Sequence, residues 1–249
     1  METTALDGAA LEQASAAFGQ QLAAIKQAIG PDFPWYPYQS LSNFVHLRPI
    51  LQDTMLDALV AGGQVLDIGA ADGEIALFLN SLGYGVDVVD HAPTNYNGLR
   101  GVRLLADHLN APIGINDVDL DSQFTLPATG AYNLVFLLGI LYHLKNPYFV
   151  LERLARSARH LLISTRVARF APNGQPIHGI AVGYLLGPAE SNNDATNYWV
   201  FSETGLKQLF HRTGWDVVSY LSVGDTVSSD PARPDRDERA FALLRSRNF

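Results

Sequence analysis

An α/β fold, with a mostly parallel sheet covered by helices on both faces, follows from three observations in this chain of 249 residues. Short apolar runs alternate with helix-period patterns between residues 64 and 165. One of those runs, Val65-Leu66-Asp67-Ile68, enters a glycine turn that opens a helix. A carboxylate, Asp90, ends the next run 17 residues beyond Gly73. Such alternation needs crossover helices, and crossover helices make neighbouring strands parallel.

Leu11, Phe18, Leu22, Ile25 and Ile29 lie on one helical stripe that Gly30-Pro31 ends. Residues 1–60 are therefore expected to be a helical extension, either packed on the body or closing over a ligand as a lid. Residues 31–38 form a proline- and aromatic-rich connector, and a second helical pattern covers 47–60. The main domain, 61–249, follows: strand 64–68, helix 72–82, strand 84–90, helix 95–108, strands 111–116 and 132–138, helix 147–158 and strand 160–165. Gly83 is placed to stop the first of these helices, and Asn146-Pro147 to cap and start the last. Residues 167–200 break the rhythm and read as a cap insertion. A helix from Ser202 to Arg212 and two strands, 214–222 and 239–245, complete the pattern, with 224–238 expected to be an exposed loop.

Composition narrows the function classes. The formal net charge of -8 lacks the electrostatic footprint that neutralises phosphates, so a small molecule is the expected partner rather than a nucleic acid. Arg233, Arg236, Arg239, Arg245 and Arg247 are interleaved with Asp230, Asp235, Asp237 and Glu238, which reads as a mixed charged surface. Cysteine is absent, so disulfides and thiolate metal sites are excluded. His46, His91, His108, His160, His178 and His211 show no metal-ligand spacing, and no metal is expected. METTALDGAALEQ has neither a basic start nor an apolar core, and no apolar run reaches membrane-spanning length; the expected location is the cytoplasm.

The turn itself, Gly69-Ala70-Ala71-Asp72-Gly73, carries the chemistry. A dinucleotide turn needs G-x-G-x-x-G to seat a pyrophosphate on a helix N-terminus, and this spacing is absent. Asp67 and Asp72 bracket the place where a pyrophosphate would arrive; they would repel it and attract a cation. A nucleoside with positive charge and no phosphate fits, and S-adenosylmethionine, a sulfonium, is the common one. A glycine turn also serves close strand–helix packing, and a lone Asp90 also serves as a helix cap; order and spacing together favour the nucleoside.

Strand, LDIGAADG, a second strand ending in Asp90 and a late pair of strands resemble the class I S-adenosylmethionine-dependent methyltransferases over about residues 60–249. FLLGILYHLKNPYFVLERL (136–154), PIGIND (112–117) and NYWVFSETGLKQLFHRTGW (197–215) are most similar to the tRNA wobble-uridine carboxymethyltransferase branch. The resemblance implies a Rossmann-like, seven-stranded sheet with an antiparallel last strand, binding S-adenosylmethionine or, in that branch, carboxy-S-adenosylmethionine. It assigns Asp67, Gly69, Ala70, Ala71 and Gly73 to the methionine portion, Asp90 and His91 to the ribose side, Asn116 and Asp117 to adenine, and Leu138 to the floor of the cofactor site. Tyr142 falls near the transferred group, and Arg239 matches an arginine that pairs with the carboxylate of the modified cofactor. Leu-Lys-Asn-Pro replaces the more basic run that follows Tyr-His in that branch, so ordinary methyl transfer is the expected chemistry.

Methyl transfer needs aligned partners and exclusion of water. Glu190, Asn193, Asn197 and Trp199 in the segment 184–201 are the candidate acceptor contacts, with Tyr142 and Arg239; loop Asn and Asp also serve turns. His143 is the candidate proton acceptor for a hydroxyl or amine, although a single histidine is also a common structural residue. Two other classes stay open: a nucleotide-binding oxidoreductase and a non-catalytic S-adenosylmethionine-binding protein.

Overall fold

The computed structural model describes residues 7–249, in two compact units that divide between Phe136 and Leu137. Residues 1–6, the start of the expected helical extension, lie outside the described residues.

In the first unit, α1 (Gly8–Ile29) starts at Asp7, whose carboxylate accepts the Ala9 and Ala10 N–H groups at 3.0 and 2.8 Å. Two orphan donors of the first turn are thereby satisfied. Leu11 and Leu22 of the predicted stripe are buried. The single helix expected over 47–60 is instead a 3-10 turn at Ser40–Asn43, then α2 (Phe44–Ile50) and α3 (Leu56–Val60). Pro49 inside α2 removes a backbone donor, and the chain turns at Leu51, where the Thr54 N–H is donated to the Leu51 carbonyl at 3.1 Å.

The sheet of this unit comprises β1 (Gln64–Ile68), β2 (Gly85–Asp90), β3 (Gly114–Asp117) and β4 (Tyr132–Leu138), with α4 (Glu74–Ser81) following β1 and α5 (Arg100–Leu109) following β2. Its order is β3-β2-β1-β4, all parallel, as the alternation requires. Gly83, at φ 94°, ends α4 with its N–H on the Asn80 carbonyl at 2.9 Å. Helix α5 starts five residues later than its pattern predicts. Gly98 and Leu99 both sit at φ 64°, which no helix start at 95 accommodates, and the Asn95 side chain holds the turn by accepting the Asn97 and Leu99 N–H groups at 3.1 Å each.

In the second unit a 3-10 turn, Leu141–His143, precedes α6 (Pro147–Ala155). The Asn146 side chain accepts the Phe149 N–H at 3.3 Å and Pro147 opens the helix, as its sequence signals require. Then come β5 (Ala158–Val167), a short hairpin of β6 (Gly183–Leu185) and β7 (Trp199–Phe201), α7 (Glu203–Arg212), β8 (Trp215–Gly224) and β9 (Glu238–Ser246). β9 runs antiparallel to both β5 and β8, which is the predicted antiparallel last strand. The hairpin is ordered pairing within a segment expected to be irregular.

The stretch 224–238 is not simply an exposed loop, since Ser229 and Asp230 are buried. The Ser229 carbonyl accepts the Arg169 and Phe170 N–H groups at 3.2 and 3.0 Å, and its hydroxyl donates to Glu238 at 2.5 Å. Satisfied backbone and side-chain polar groups are what let a polar segment be buried.

Lys26 fastens α1 to the start of α4. Its ammonium donates to Asp72 at 2.8 Å and to Glu74 at 2.7 Å, and both carboxylates are buried. Asp72 also accepts the Tyr36 N–H at 2.9 Å and the Asn97 amide at 2.7 Å; Glu74 accepts the Ser40 N–H and hydroxyl at 2.6 and 2.9 Å. These contacts pack α1 against the start of α4. Lys26→Met strands two buried carboxylates and is expected to destabilise the protein by about 3 kcal/mol, as breaking buried pairs does. Urea denaturation measures this; an unchanged midpoint and slope contradict it.

Candidate active site

The glycine turn of the first unit is a strained bend held by carboxylates. Gly69 and Gly73 have φ of 70° and 79°, and Ala71, with a Cβ, is forced to φ 56°. A left-handed alanine costs about 1–2 kcal/mol, and such strain concentrates at functional turns. A Cβ on Gly73 would stand 2.4 Å from the Val102 side chain, so glycine there is imposed by packing against α5 as well as by φ. Gly73 donates its N–H to the Ala70 carbonyl at 2.7 Å, and Gly69 donates to Val89 at 2.8 Å, tying the turn to β2.

Asp90, at the carboxyl end of β2, closes the bend from the other side. Its Oδ2 accepts the Ala71 N–H at 3.2 Å and the Asn95 amide at 2.9 Å; its Oδ1 accepts the His91 N–H at 2.7 Å. An ionised carboxylate has about four acceptor positions, so three donors leave roughly one for a ligand hydroxyl. Burial pushes the Asp90 carboxyl above its ordinary value, against the pull of Asn95, the two N–H groups and His91. Asp67, fully enclosed at the end of β1, accepts the Ala76 N–H at 3.2 Å and so caps α4 from outside the helix. Burial raises its carboxyl to about 7; the Ala76 N–H opposes the rise and the negative charge of Asp90 adds to it.

Asp72 requires a correction. The sequence reading has it bracket the turn and attract a cation, but it faces Lys26, Tyr36 and Asn97, and its charge is met within the protein. Asp67 and Asp90 have no cationic side chain among their hydrogen-bond partners.

The other predicted cofactor residues of this unit lie at the ends of β2 and β3, where Asp90 and Asp117 are register partners. Asp117 is exposed and accepts the Ala92 N–H at 2.9 Å. The Asn116 amide donates to the Val88 carbonyl at 3.1 Å, and His91 Nδ1 is buried with no hydrogen bond, 3.4 Å from Asp117. Sequence reasoning missed Asn95 and Asn97, whose buried amides join Ala71, Asp90, Asp72 and Pro34. The available signal was Asn-Tyr-Asn-Gly ahead of a helix, which reads only as a turn.

In the second unit, Leu138 ends β4 half-buried, and Tyr142 and His143 follow with ring centroids 4.3 Å apart. His143 Nδ1 lies 3.1 Å from both the carbonyl and the hydroxyl of Thr196. Burial lowers the imidazole from its ordinary value; Thr196 and Asp194 act against that shift, and Arg239 adds to it. The Tyr142 carbonyl accepts the Tyr198 N–H at 2.7 Å, and the Lys145 carbonyl accepts the Trp199 indole at 3.3 Å, so the 184–201 segment is anchored on the Tyr-His turn.

Arg239 lies with its guanidinium 5.6 Å from the Tyr142 ring centroid, directly across the β5–β9 ladder from Arg166. Arg166 is closed by Asp237 at 2.5 Å and Arg169 by Glu238 at 2.8 Å, whereas no carboxylate pairs with Arg239 among the described residues. Asn197 is buried with an unpartnered Oδ1. Glu190 accepts the Tyr184 hydroxyl at 2.9 Å and the Gly187 N–H at 2.7 Å, and Asn193, at φ 55°, is an exposed turn residue. Among the described residues no His, Cys, Asp and Glu cluster is arranged to hold a metal, and no helix is long and apolar enough to cross a membrane.

A family model described as a methyltransferase domain matches residues 44–220. The chain belongs to that methyltransferase family. No curated protein matches the methyltransferase in sequence. Among solved structures it is similar to the N-terminal domain of EvdMO1 with SAH bound, at 14% identity over 92% of this chain and 97% of that one, TM-score 0.61. It is also similar to the [4+2]-cyclase SpnF, at 12% identity over 97% of each chain, TM-score 0.59, and to TehB from Haemophilus influenzae, at 18% identity over 77% of this chain and 60% of that one, TM-score 0.53. These likenesses show the fold, a Rossmann-like α/β arrangement with a mostly parallel sheet and an antiparallel strand.

The raised Asp67 carboxyl has a stability consequence. The folded state holds its proton up to about pH 7 while the unfolded chain releases it near the ordinary carboxylate value, so this group's contribution falls as pH rises from about 4 to 7. Asp67→Asn is therefore expected to raise the melting temperature of the ligand-free methyltransferase at pH 8 more than at pH 5. Equal shifts at both pH values contradict the assignment.

Proposed function

We propose that the protein is an S-adenosylmethionine-dependent methyltransferase acting on an oxygen or nitrogen of a small acceptor. The supporting observation is the bend at Gly69–Gly73 closed by Asp90, whose carboxylate keeps an acceptor position for a ribose hydroxyl, within a methyltransferase domain. When bound, S-adenosylmethionine supplies a methyl carbon on positively charged sulfur; the acceptor's electron pair forms the new bond, and the carbon–sulfur pair remains on sulfur.

The protein's own groups have separate tasks in this reading. Asp67 and Asp90 provide negative potential and Ala70 and Ala71 a backbone cradle; His91, Asn116 and Asp117 edge the base, and Leu138 is an apolar wall. Tyr142 offers a ring face to positive charge. His143 takes the acceptor proton onto a ring nitrogen. Asn197 and Trp199, with Glu190 and Asn193 shaping their loop, enclose the acceptor and exclude water. Arg239 reads an anionic group. That unpaired guanidinium also favours a second reading, in which the donor itself carries a carboxylate as in the tRNA wobble-uridine branch; the net charge of -8 weighs against tRNA as acceptor.

Native mass spectrometry of the purified protein separates the two, because the donors differ in mass by one carboxyl group. S-adenosylmethionine or its demethylated product is the expected ligand, and a nicotinamide dinucleotide overturns the proposal. With labelled donor and an acceptor found in cell extract, His143→Gln is expected to slow transfer about 10²–10⁴-fold while leaving cofactor affinity unchanged. Asp90→Ala is expected to weaken cofactor binding about 10–100-fold through loss of a charged hydrogen bond. Because burial lowers the His143 imidazole, the acid limb of the rate profile should fall below the ordinary histidine value; a limb above it contradicts His143 as the base.

A further inference from the structure

The partners of His143 determine which ring nitrogen carries its proton. Nδ1 lies 3.1 Å from the Thr196 carbonyl oxygen, which only accepts, and 3.1 Å from the Thr196 hydroxyl oxygen. That hydroxyl is already committed, since it donates its one proton to Asp194 Oδ1 at 2.6 Å. The Asp194 carboxylate is fixed in turn, accepting the Thr196 N–H at 2.9 Å on the same oxygen, while its backbone carbonyl accepts the Asn197 N–H at 3.0 Å. Burial raises the Asp194 carboxyl, but the two Thr196 hydrogen bonds and His143 outweigh this and hold it below its ordinary value, so it is an acceptor throughout the neutral range. Both oxygens facing Nδ1 therefore present lone pairs.

We propose that Asp194 and Thr196 are positioning residues that lock His143 as the Nδ1–H tautomer, leaving Nε2 as the nitrogen that receives the acceptor's proton. This rests on the reading of His143 as the proton acceptor. Because the hydroxyl proton is drawn toward Asp194, it cannot turn onto Nδ1 and favour the opposite tautomer, in which the lone pair would face the protein. A neutral imidazole has one donor and one acceptor nitrogen, and the hydrogen bond at one fixes the chemistry of the other. The charged and aromatic groups facing the ring are Asp194, Arg239 and Tyr142.

Nitrogen-15 NMR of the full-length protein with labelled histidine, at a pH where His143 is neutral, tests the lock; His143→Gln identifies the signals. Wild type is expected to show a pyrrole-type Nδ1 and a pyridine-type Nε2. Asp194→Ala frees the Thr196 hydroxyl and is expected to bring in the Nε2–H tautomer, with kcat falling roughly tenfold, a part of the ~10²–10⁴ a general base supplies. Adding Thr196→Val removes the competing hydroxyl, leaves the carbonyl, and is expected to restore the Nδ1–H form, which a general loosening of the loop would not do. Unchanged calorimetric binding of S-adenosylmethionine in each variant confirms a folded protein. A wild-type Nε2–H signal, or an Asp194→Ala spectrum like wild type, overturns the lock. Full transfer by His143→Gln overturns instead the proton-acceptor reading beneath it.

Discussion

Four carboxylates, Asp67, Asp72, Glu74 and Asp90, crowd around one five-residue bend, and a single ammonium, Lys26, meets two of them. Removing a charge from water costs several kcal/mol unless it is paired or neutralised, so this arrangement governs what the first unit can be. Asp72 and Glu74 are answered by Lys26, Asn97, Tyr36 and Ser40, and they fasten α1 to the bend. Asp67 and Asp90 are answered only by N–H donors, and burial raises both carboxyls. A cationic ligand relieves that excess, whereas a phosphate would worsen it. The same accounting explains why a strained Ala71 persists, since its N–H is held by Asp90 and the next residue by Lys26.

A parallel logic applies in the second unit to cations. Arg166 and Arg169 are closed by Asp237 and Glu238, and the segment before β9 is pinned in place by these pairs and by Ser229. Arg239 remains, stacked over Tyr142, with no carboxylate partner among the described residues. Arg239 and the Asn197 oxygen are left unanswered while their neighbours are satisfied, and an unmet polar group is open to a ligand.

Much of the fold was legible because its signals are local. Alternating apolar runs gave the parallel strands, Gly83 and Asn146-Pro147 gave helix ends, and Asp90 was recognisable from its distance to the turn. What escaped depends on partners far apart in the chain. Lys26 and Asp72 are 46 residues apart, and nothing near Asp72 indicates that its charge is spoken for. Thr196 and His143 are 53 residues apart, and Thr196 in isolation is one more polar loop residue. The break within 47–60 follows Pro49, and the burial of Ser229 depends on hydrogen bonds from the start of another segment.

Calorimetric titration of the ligand-free protein with S-adenosylmethionine at pH 6 and pH 8, in buffers of different ionisation enthalpy and with NAD as the control, tests the central claim most directly. If Asp67 and Asp90 attract the sulfonium, its binding tightens from pH 6 to pH 8 with release of a proton, which Asp67 gives up near pH 7, and NAD gives no heat. Tight binding of NAD, or affinity for S-adenosylmethionine that does not change with pH and releases no proton, contradicts the account.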